Sequence, residues 1–183
     1  MGSEMCIRDS LDIGGESTRP GAERVSIEQE LGRVVPLIEA LVQRSDIPIS
    51  IDTYKPEVMR AAVEAGASMI NDVNGLRADG AIDALVKADV PACIMHMQGD
   101  PSSMQIKPSY DNVVDEVLDF FQQRIDLLVG SGLDREDIII DPGIGFGKTL
   151  DHNLQLLNKV ETLKSETQCD VCLLYTSPSP RDS

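Results

Sequence analysis

Short apolar runs that end on a polar residue alternate along this chain with longer stretches whose apolar positions recur every three or four residues. The runs are Leu11-Asp12-Ile13, Pro48 to Asp52, Ser68 to Asp72, Pro91 to Met95 and Asp137 to Asp141; a sixth fades out over Cys169 to Leu174. Short, largely β-branched runs of this kind predict parallel strands buried on both faces. The stretches between them predict amphipathic helices. Ser26 and Gln29 form a capping box, followed by Ile27, Leu31, Val34, Val35, Ile38, Leu41 and Val42 at helical spacing. Pro36 interrupts that stripe and predicts a kink or a split. Pro56 opens a second helix that Gly66 closes, and Ala81 to Lys87 make a shorter one. Val113, Val117, Phe120, Phe121, Ile125 and Leu128 stripe a longer helix, and Leu154, Leu157, Val160 and Leu163 stripe the last.

Strand alternating with helix predicts a parallel α/β fold, either a (β/α)8 barrel or an open doubly wound sheet. The ends of the runs bear on the choice. Asp12, Asp52, Asn71 with Asp72, His96 and Asp141 place a hydrogen-bonding side chain at nearly every strand terminus. One such residue reads most simply as a cap for the next helix. Five in succession point to a barrel, whose strand ends all converge on one mouth.

Composition narrows the function classes. The 183 residues carry 16 basic and 31 acidic side chains, a formal charge of −15, which argues against a nucleic-acid partner. No run of about 18 apolar residues exists to span a membrane, and a cytoplasmic protein is expected. Cys6, Cys93, Cys169 and Cys172 are too few and scattered for a disulfide framework. The Cys169/Cys172 spacing lacks the second pair that a zinc site needs. The ends, MGSEMCIRDS and LLYTSPSPRDS, lack periodicity and share the tripeptide Arg-Asp-Ser. Segments 1–10 and 172–183 are therefore expected to be non-native, flanking a truncated domain at 11–171.

Two loops invite chemistry. Asp141 to Thr149 (DPGIGFGKT) looks like a phosphate loop, but Pro142 stands where a Walker motif needs its first glycine. Its glycines instead allow the backbone to close over a flat ligand. Gly14 to Gly21 (GGESTRPG) carries two hydroxyls and Arg19, which could pair with a phosphate or carboxylate. His96 reads either as a ligand or base, or as a hydrogen-bonded structural residue. His152 reads as a helix-start surface residue, and Asp111 to Asp119 as a solvated helix face. No His, Cys and carboxylate cluster has metal-site spacing, so no metal ligand is assigned.

Five blocks together resemble the dihydropteroate synthases of the pterin-binding family: DIGGESTRPG (12–21), PISIDTYKPEV (48–58), INDVNGL (70–76), MHMQGDPSSMQ (95–105) and DPGIGFGKT (141–149). The resemblance runs from about Leu11 to Leu163. It implies a (β/α)8 TIM barrel, here incomplete, lacking the first strand and the last one to two βα units. It implies condensation of 6-hydroxymethyl-7,8-dihydropterin diphosphate with 4-aminobenzoate to 7,8-dihydropteroate and pyrophosphate, in a cytoplasmic homodimer. A non-catalytic barrel that binds a pterin or methyltetrahydrofolate, as in corrinoid methyltransferases, is the alternative. The Ser17 to Pro20 loop favours the synthase.

The site residues that the resemblance implies each have a chemical reason. Asp141 faces the adjacent N–H donors of the pterin edge. Asn71 reads its mixed edge, and Asp52 lies against the ring and stabilises positive charge after diphosphate leaves. Thr18 and Arg19 contact 4-aminobenzoate, with Arg19 also reaching toward diphosphate. Phe146 packs on the aminobenzoate ring and Met95 lines the pterin pocket. Asp52, Asp141 and Arg19 are the expected catalytic set. Mg²⁺ is the implied cofactor, but the family's Asn contact, its Ser-Arg-Lys motif and its last-strand Arg and His match nothing in this sequence. Without them the chain is expected to fold poorly and have little activity alone.

Overall fold

A computed structural model describes residues 10–18, 22–99 and 108–173. Six parallel strands hydrogen-bond side by side in the order in which they occur along the chain. They are β1 (Leu11–Gly14), β2 (Ile49–Asp52), β3 (Met69–Asp72), β4 (Ala92–Met95), β5 (Ile138–Asp141) and β6 (Asp170–Val171). A doubly wound sheet reverses its strand order at a switch point; an order that never reverses is that of a barrel wall. The chain thus forms a partial (β/α)8 barrel, six strands of the eight.

Six helices cover the wall: α1 (Ile27–Val42), α2 (Pro56–Glu64), α3 (Ala81–Ala88), α4 (Val113–Gly130), α5 (Leu150–Leu157) and α6 (Val160–Thr167). Local chemistry sets their starts. The Ser26–Gln29 capping box opens α1, Pro56 occupies the first turn of α2, and the Asn112 side chain accepts from Val114 N and Asp115 N at the head of α4. Pro36 does not split α1, contrary to expectation. Val34 and Ile38 bury on either side of it and pull both halves onto the sheet. Pro36 itself faces solvent, where the orphaned carbonyl one turn earlier can meet water. The single last helix expected from its stripe is instead two, α5 and α6.

Successive strand residues point to opposite faces; the helix face is apolar apart from Asp72, while the inner face mixes polar groups with Met69, Met95 and Ile139. Ile13, Ile49, Ile51, Ile70, Ala92, Ile94, Ile138 and Ile140 point toward the helices and pack on Val34, Ile38, Val58, Met59, Ala84, Val117, Phe121, Ile125 and Leu128. Each fully buried isoleucine contributes about 1.5–3 kcal/mol over exposure. The residues between them, Asp12, Ser50, Asp52, Asn71, Cys93 and Asp141, form the barrel's inner face. Among the described residues, no helix is long and apolar enough to cross a membrane.

Candidate active site

The inner face ends in a rim of acid and amide groups. Asp12 aligns with Ser50, Gly14 with Asp52, Asp52 with Asn71, Asn71 with Cys93, and Met95 with Asp141. Register partners in parallel strands share a face, so Asp12, Asp52, Asn71 and Asp141 all face inward, the last three at or beside the strand C-termini and Asp12 one layer deeper. The Asp12 carboxylate accepts from Ser50 Oγ and, at 3.2 Å, from Asn71 Nδ2. Burial raises the Asp12 pKa, and those two hydrogen bonds partly offset the rise. Asp52 is pushed up to about 8, first by burial and then by the charges of Asp12, Asp72 and Glu30. A carboxyl at this position thus favours its protonated form near neutral pH.

Asp141 Oδ1 accepts from its own loop at Gly143 N, 2.7 Å away. That loop folds tightly over the end of β4. A Cβ at Gly143, where φ is +67°, would stand 2.0 Å from the His96 carbonyl oxygen, so only glycine fits. Beside Asp141, Met95 packs with Val73, Met97 and Phe146 in a small apolar cluster separate from the main core. The rim therefore offers acceptors on one side and an apolar wall on the other, a surface suited to a flat polar heterocycle.

Two of the polar strand ends do not join it. Asp72 aligns with Ile94 on the helix face, and its carboxylate accepts from Asn74 N at 2.7 Å and Leu76 N at 2.9 Å. It caps the turn after β3, as a lone strand-end Asp does. Burial lifts it to about 6 against those bonds. His96 also turns outward and packs edge-on against Phe120, their ring centroids 5.0 Å apart. Burial, then the charges of Lys148 and Arg77, drive its pKa down to about 3, so it is neutral. It is a structural residue, the second of the two readings.

Lys148 is the group that the sequence reading passed over when it set the phosphate-loop resemblance aside. Its Nζ lies 3.0 Å from His96 Nδ1 and donates to the carbonyls of His96 (3.2 Å) and Phe146 (2.9 Å). It bolts the Asp141–Thr149 loop to the end of β4. Burial lowers its pKa to about 7, opposed by Asp141. Tyr110 OH adds a bond of 2.9 Å to Gly147 O.

A second overlooked cluster sits under the loop after β1. Lys55 Nζ donates to Glu16 Oε2, Glu30 Oε2 and Val25 O, while Thr53 Oγ1 donates to Glu30 and Tyr54 OH to Glu16. Glu16 also accepts from Val25 N, so the cluster ties both feet of the loop to the start of α2. Burial alone would lower Lys55, but its bonds to Glu16 and Glu30 win and raise it. One signal for this was present in the sequence: Glu30 shares a helical stripe with Val34 and Ile38, and all three are buried. Thr18 lies half-buried on this loop; Arg19 lies outside the described residues.

The Cys169/Cys172 spacing does not make a pair. The Cys169 thiol turns to the carbonyls of Arg135 and Thr167. The free thiol of Cys172 instead hydrogen-bonds the free thiol of Cys93, and that contact, with burial, raises the Cys93 thiol well above its ordinary range. Among the described residues, no group of three or more His, Cys, Asp or Glu side chains is placed to hold a metal ion.

The family model described as "Pterin binding enzyme" matches residues 9–178. Dihydropteroate synthase from Escherichia coli (strain K12) is 48% identical over 150 residues, 82% of this chain and 53% of that protein. The Clostridium beijerinckii protein of the same name is 44% identical over 157 residues, 85% of this chain and 56% of its own. The chain thus spans about half the length of these curated relatives. Among solved structures, Yersinia pestis dihydropteroate synthase with a sulfonamide drug complex superposes with a TM-score of 0.86 at 45% identity. It covers 89% of this chain and 59% of that one. The Xanthomonas albilineans enzyme with 4-aminobenzoic acid gives 0.83 at 52% identity, over 89% of this chain and 57% of that one. Matched by this family model over residues 9–178, nearly its whole length, the chain belongs to the pterin-binding enzymes.

Proposed function

We propose that this chain is the pterin-reading part of a dihydropteroate synthase. The reaction would join 6-hydroxymethyl-7,8-dihydropterin diphosphate to 4-aminobenzoate, giving 7,8-dihydropteroate and pyrophosphate. One observation carries the reading: Asp12, Asp52, Asn71 and Asp141 share the inner face at the mouth of one barrel wall, beside the Met95–Phe146 cluster. The relatives supply the chemistry by analogy. One solved relative holds 4-aminobenzoic acid and another 7,8-dihydropteroate.

In this mechanism Asp141 and Asn71 hold the ring by its polar edge. The bond between the exocyclic methylene and the diphosphate oxygen breaks, and its electron pair leaves with the diphosphate. Positive charge then spreads over the methylene and the ring. Ionised Asp52, held at the ring by β2, stabilises that charge as it forms. The arylamine nitrogen next bonds to the methylene and gives up a proton. Thr18 and Arg19 are assigned to the aminobenzoate, and Phe146 to its ring. No protein nucleophile is needed, and His96 turns away from the rim, against Phe120 and Lys148. We carry the cytoplasmic homodimer over from the resemblance, to be tested by sedimentation.

The pH dependence follows from Asp52. In the free chain its carboxyl is protonated below about 8, whereas a donor-rich or cationic ring prefers the ionised form. Affinity for 6-hydroxymethyl-7,8-dihydropterin should therefore rise with pH up to about 8, by at most about tenfold per unit. Asp52→Asn should flatten that rise. Calorimetric titration measures both. Pyrophosphate release should depend on 4-aminobenzoate in a chain extended to the length of its relatives. Release that ignores 4-aminobenzoate would remove the synthase reading and leave a pterin-binding barrel.

A further inference from the structure

Asp12 organises the rim from beneath. It sits one layer below Asp52 on the inner face: Asp12 aligns with Ser50 and Gly14 with Asp52. Gly14 leaves the space between them open; a Cβ there would lie 3.4 Å from Asp52 Oδ2. Through this region the Asp12 carboxylate reaches past β2 to the Asn71 amide on β3, taking Nδ2–H at 3.2 Å. Ser50 Oγ donates to its other oxygen and fixes its orientation.

An asparagine amide can turn over, exchanging its carbonyl oxygen for its NH2 group, and such a turn changes what it reads. A carboxylate only accepts. Turning Asn71 over would set its carbonyl oxygen against the Asp12 oxygens, trading a hydrogen bond for a repulsion. Among the described residues, nothing donates to Asn71 Oδ1. Its partners on the rim, Asp52 and Asp141, bring carboxyl groups of their own. Of the polar groups facing Asn71 from β1 and β2, Asp12 accepts from it, Ser50 is committed to Asp12, and Asp52 offers only its carboxyl group.

We propose that Asp12 is a positioning residue that locks the Asn71 amide with its carbonyl oxygen toward the ligand, so that the rim presents acceptors and selects heterocycles whose edge carries adjacent N–H donors. This rests on the pterin-reading assignment of the rim and deepens it. Asp12 acts through Asn71 and touches no substrate.

Replacement of the pterin 2-amino group by an oxygen turns a donor into an acceptor with almost no change of shape. The test compares dissociation constants for 6-hydroxymethylpterin and the matching 2-oxo compound, 6-hydroxymethyllumazine, by calorimetry on this chain extended to the length of its relatives and shown to be folded by circular dichroism. The unaltered chain should prefer the amino compound. In Asp12→Asn, a side chain of the same shape that can donate as well as accept, Asn71 is released and the preference should shrink about tenfold. The swapped pair Asp12→Asn with Asn71→Asp restores both the hydrogen bond and an acceptor at position 71, and should recover the preference; a merely structural role for Asp12 predicts no such recovery. Ser50→Ala, which only loosens Asp12, should give a smaller loss of preference and covers the case in which Asp12→Asn fails to fold. An unchanged preference in folded Asp12→Asn, or in Ser50→Ala if that variant must stand in, overturns the proposal while leaving the pterin reading intact. Failure of the unaltered chain to bind either compound overturns the pterin reading, and this proposal with it.

Discussion

The two faces of one sheet are built from neighbouring residues and obey different rules. Ile51 and Asp52 are adjacent in β2, as Ile70 and Asn71 are in β3. The outward member of each pair is a hydrocarbon with no exposed surface. It is held by packing, and its worth depends on volume. The inward member is held by named partners, and its worth depends on which atom donates. Asp72 shows that the boundary is strict: one residue beyond Asn71, it falls on the helix face and is spent on a turn. Structural damage should therefore track the outer face and its supports, and ligand discrimination the inner.

Breaking the supports should produce the largest effect. Lys55→Met leaves Glu30, 1% exposed, as an uncompensated buried charge. It should cost about 3–5 kcal/mol of stability in urea denaturation. Adding Glu30→Met should recover a large part of that loss, which separates a charge effect from a packing effect. Ile51→Ala on the outer face should cost about 2–4 kcal/mol through the cavity it leaves, with the amino-over-oxo ligand preference unchanged. A shifted preference in a folded Ile51→Ala chain would show that the faces are coupled.

On the inner face, Asp141→Ala should weaken 6-hydroxymethyl-7,8-dihydropterin binding by about tenfold to a hundredfold, the worth of a charge-assisted hydrogen bond. Its melting behaviour should change far less than that of Ile51→Ala. Per pH unit, the smallest effect concerns Lys148. Its pKa in the fold, about 7, lies below the 10.5 of the unfolded chain. The unfolded state thus binds more protons between those values, and this residue adds stability as pH rises through that window. The contribution is lost as pH falls through about 7. Lys148→Met should flatten the stability profile there, by about 1.4 kcal/mol per pH unit at its steepest. Identical slopes for the two chains would place Lys148 in a more polar setting than the Asp141–Thr149 loop provides.

Local patterns made much of this legible. The capping box at Ser26 and Gln29 and the first-turn proline at Pro56 act within a few residues, and their helices begin where those signals stand. The five apolar runs became strands for the same reason. Pro36 was misleading because a proline's local cost was outweighed by burial of Val34 and Ile38, a benefit visible only once the sheet exists. The polar strand ends were legible as a set but not individually. Alternation along a strand fixes which neighbours share a face, yet the point at which each strand stops is set by its pairing.

Periodicity, caps and the five motif blocks by themselves determined the α/β alternation, the barrel class and the likeness to pterin-binding enzymes, because each of these rests on contacts near in sequence. Only the tertiary structure decided that Asp12, Asp52, Asn71 and Asp141 face inward while Asp72 and His96 turn away. It alone joined Lys55 to Glu16 and Glu30, and Lys148 to His96. Those partners lie 25 to 52 residues apart, and a buried charge finds its counterpart only after the strands between them have taken their register.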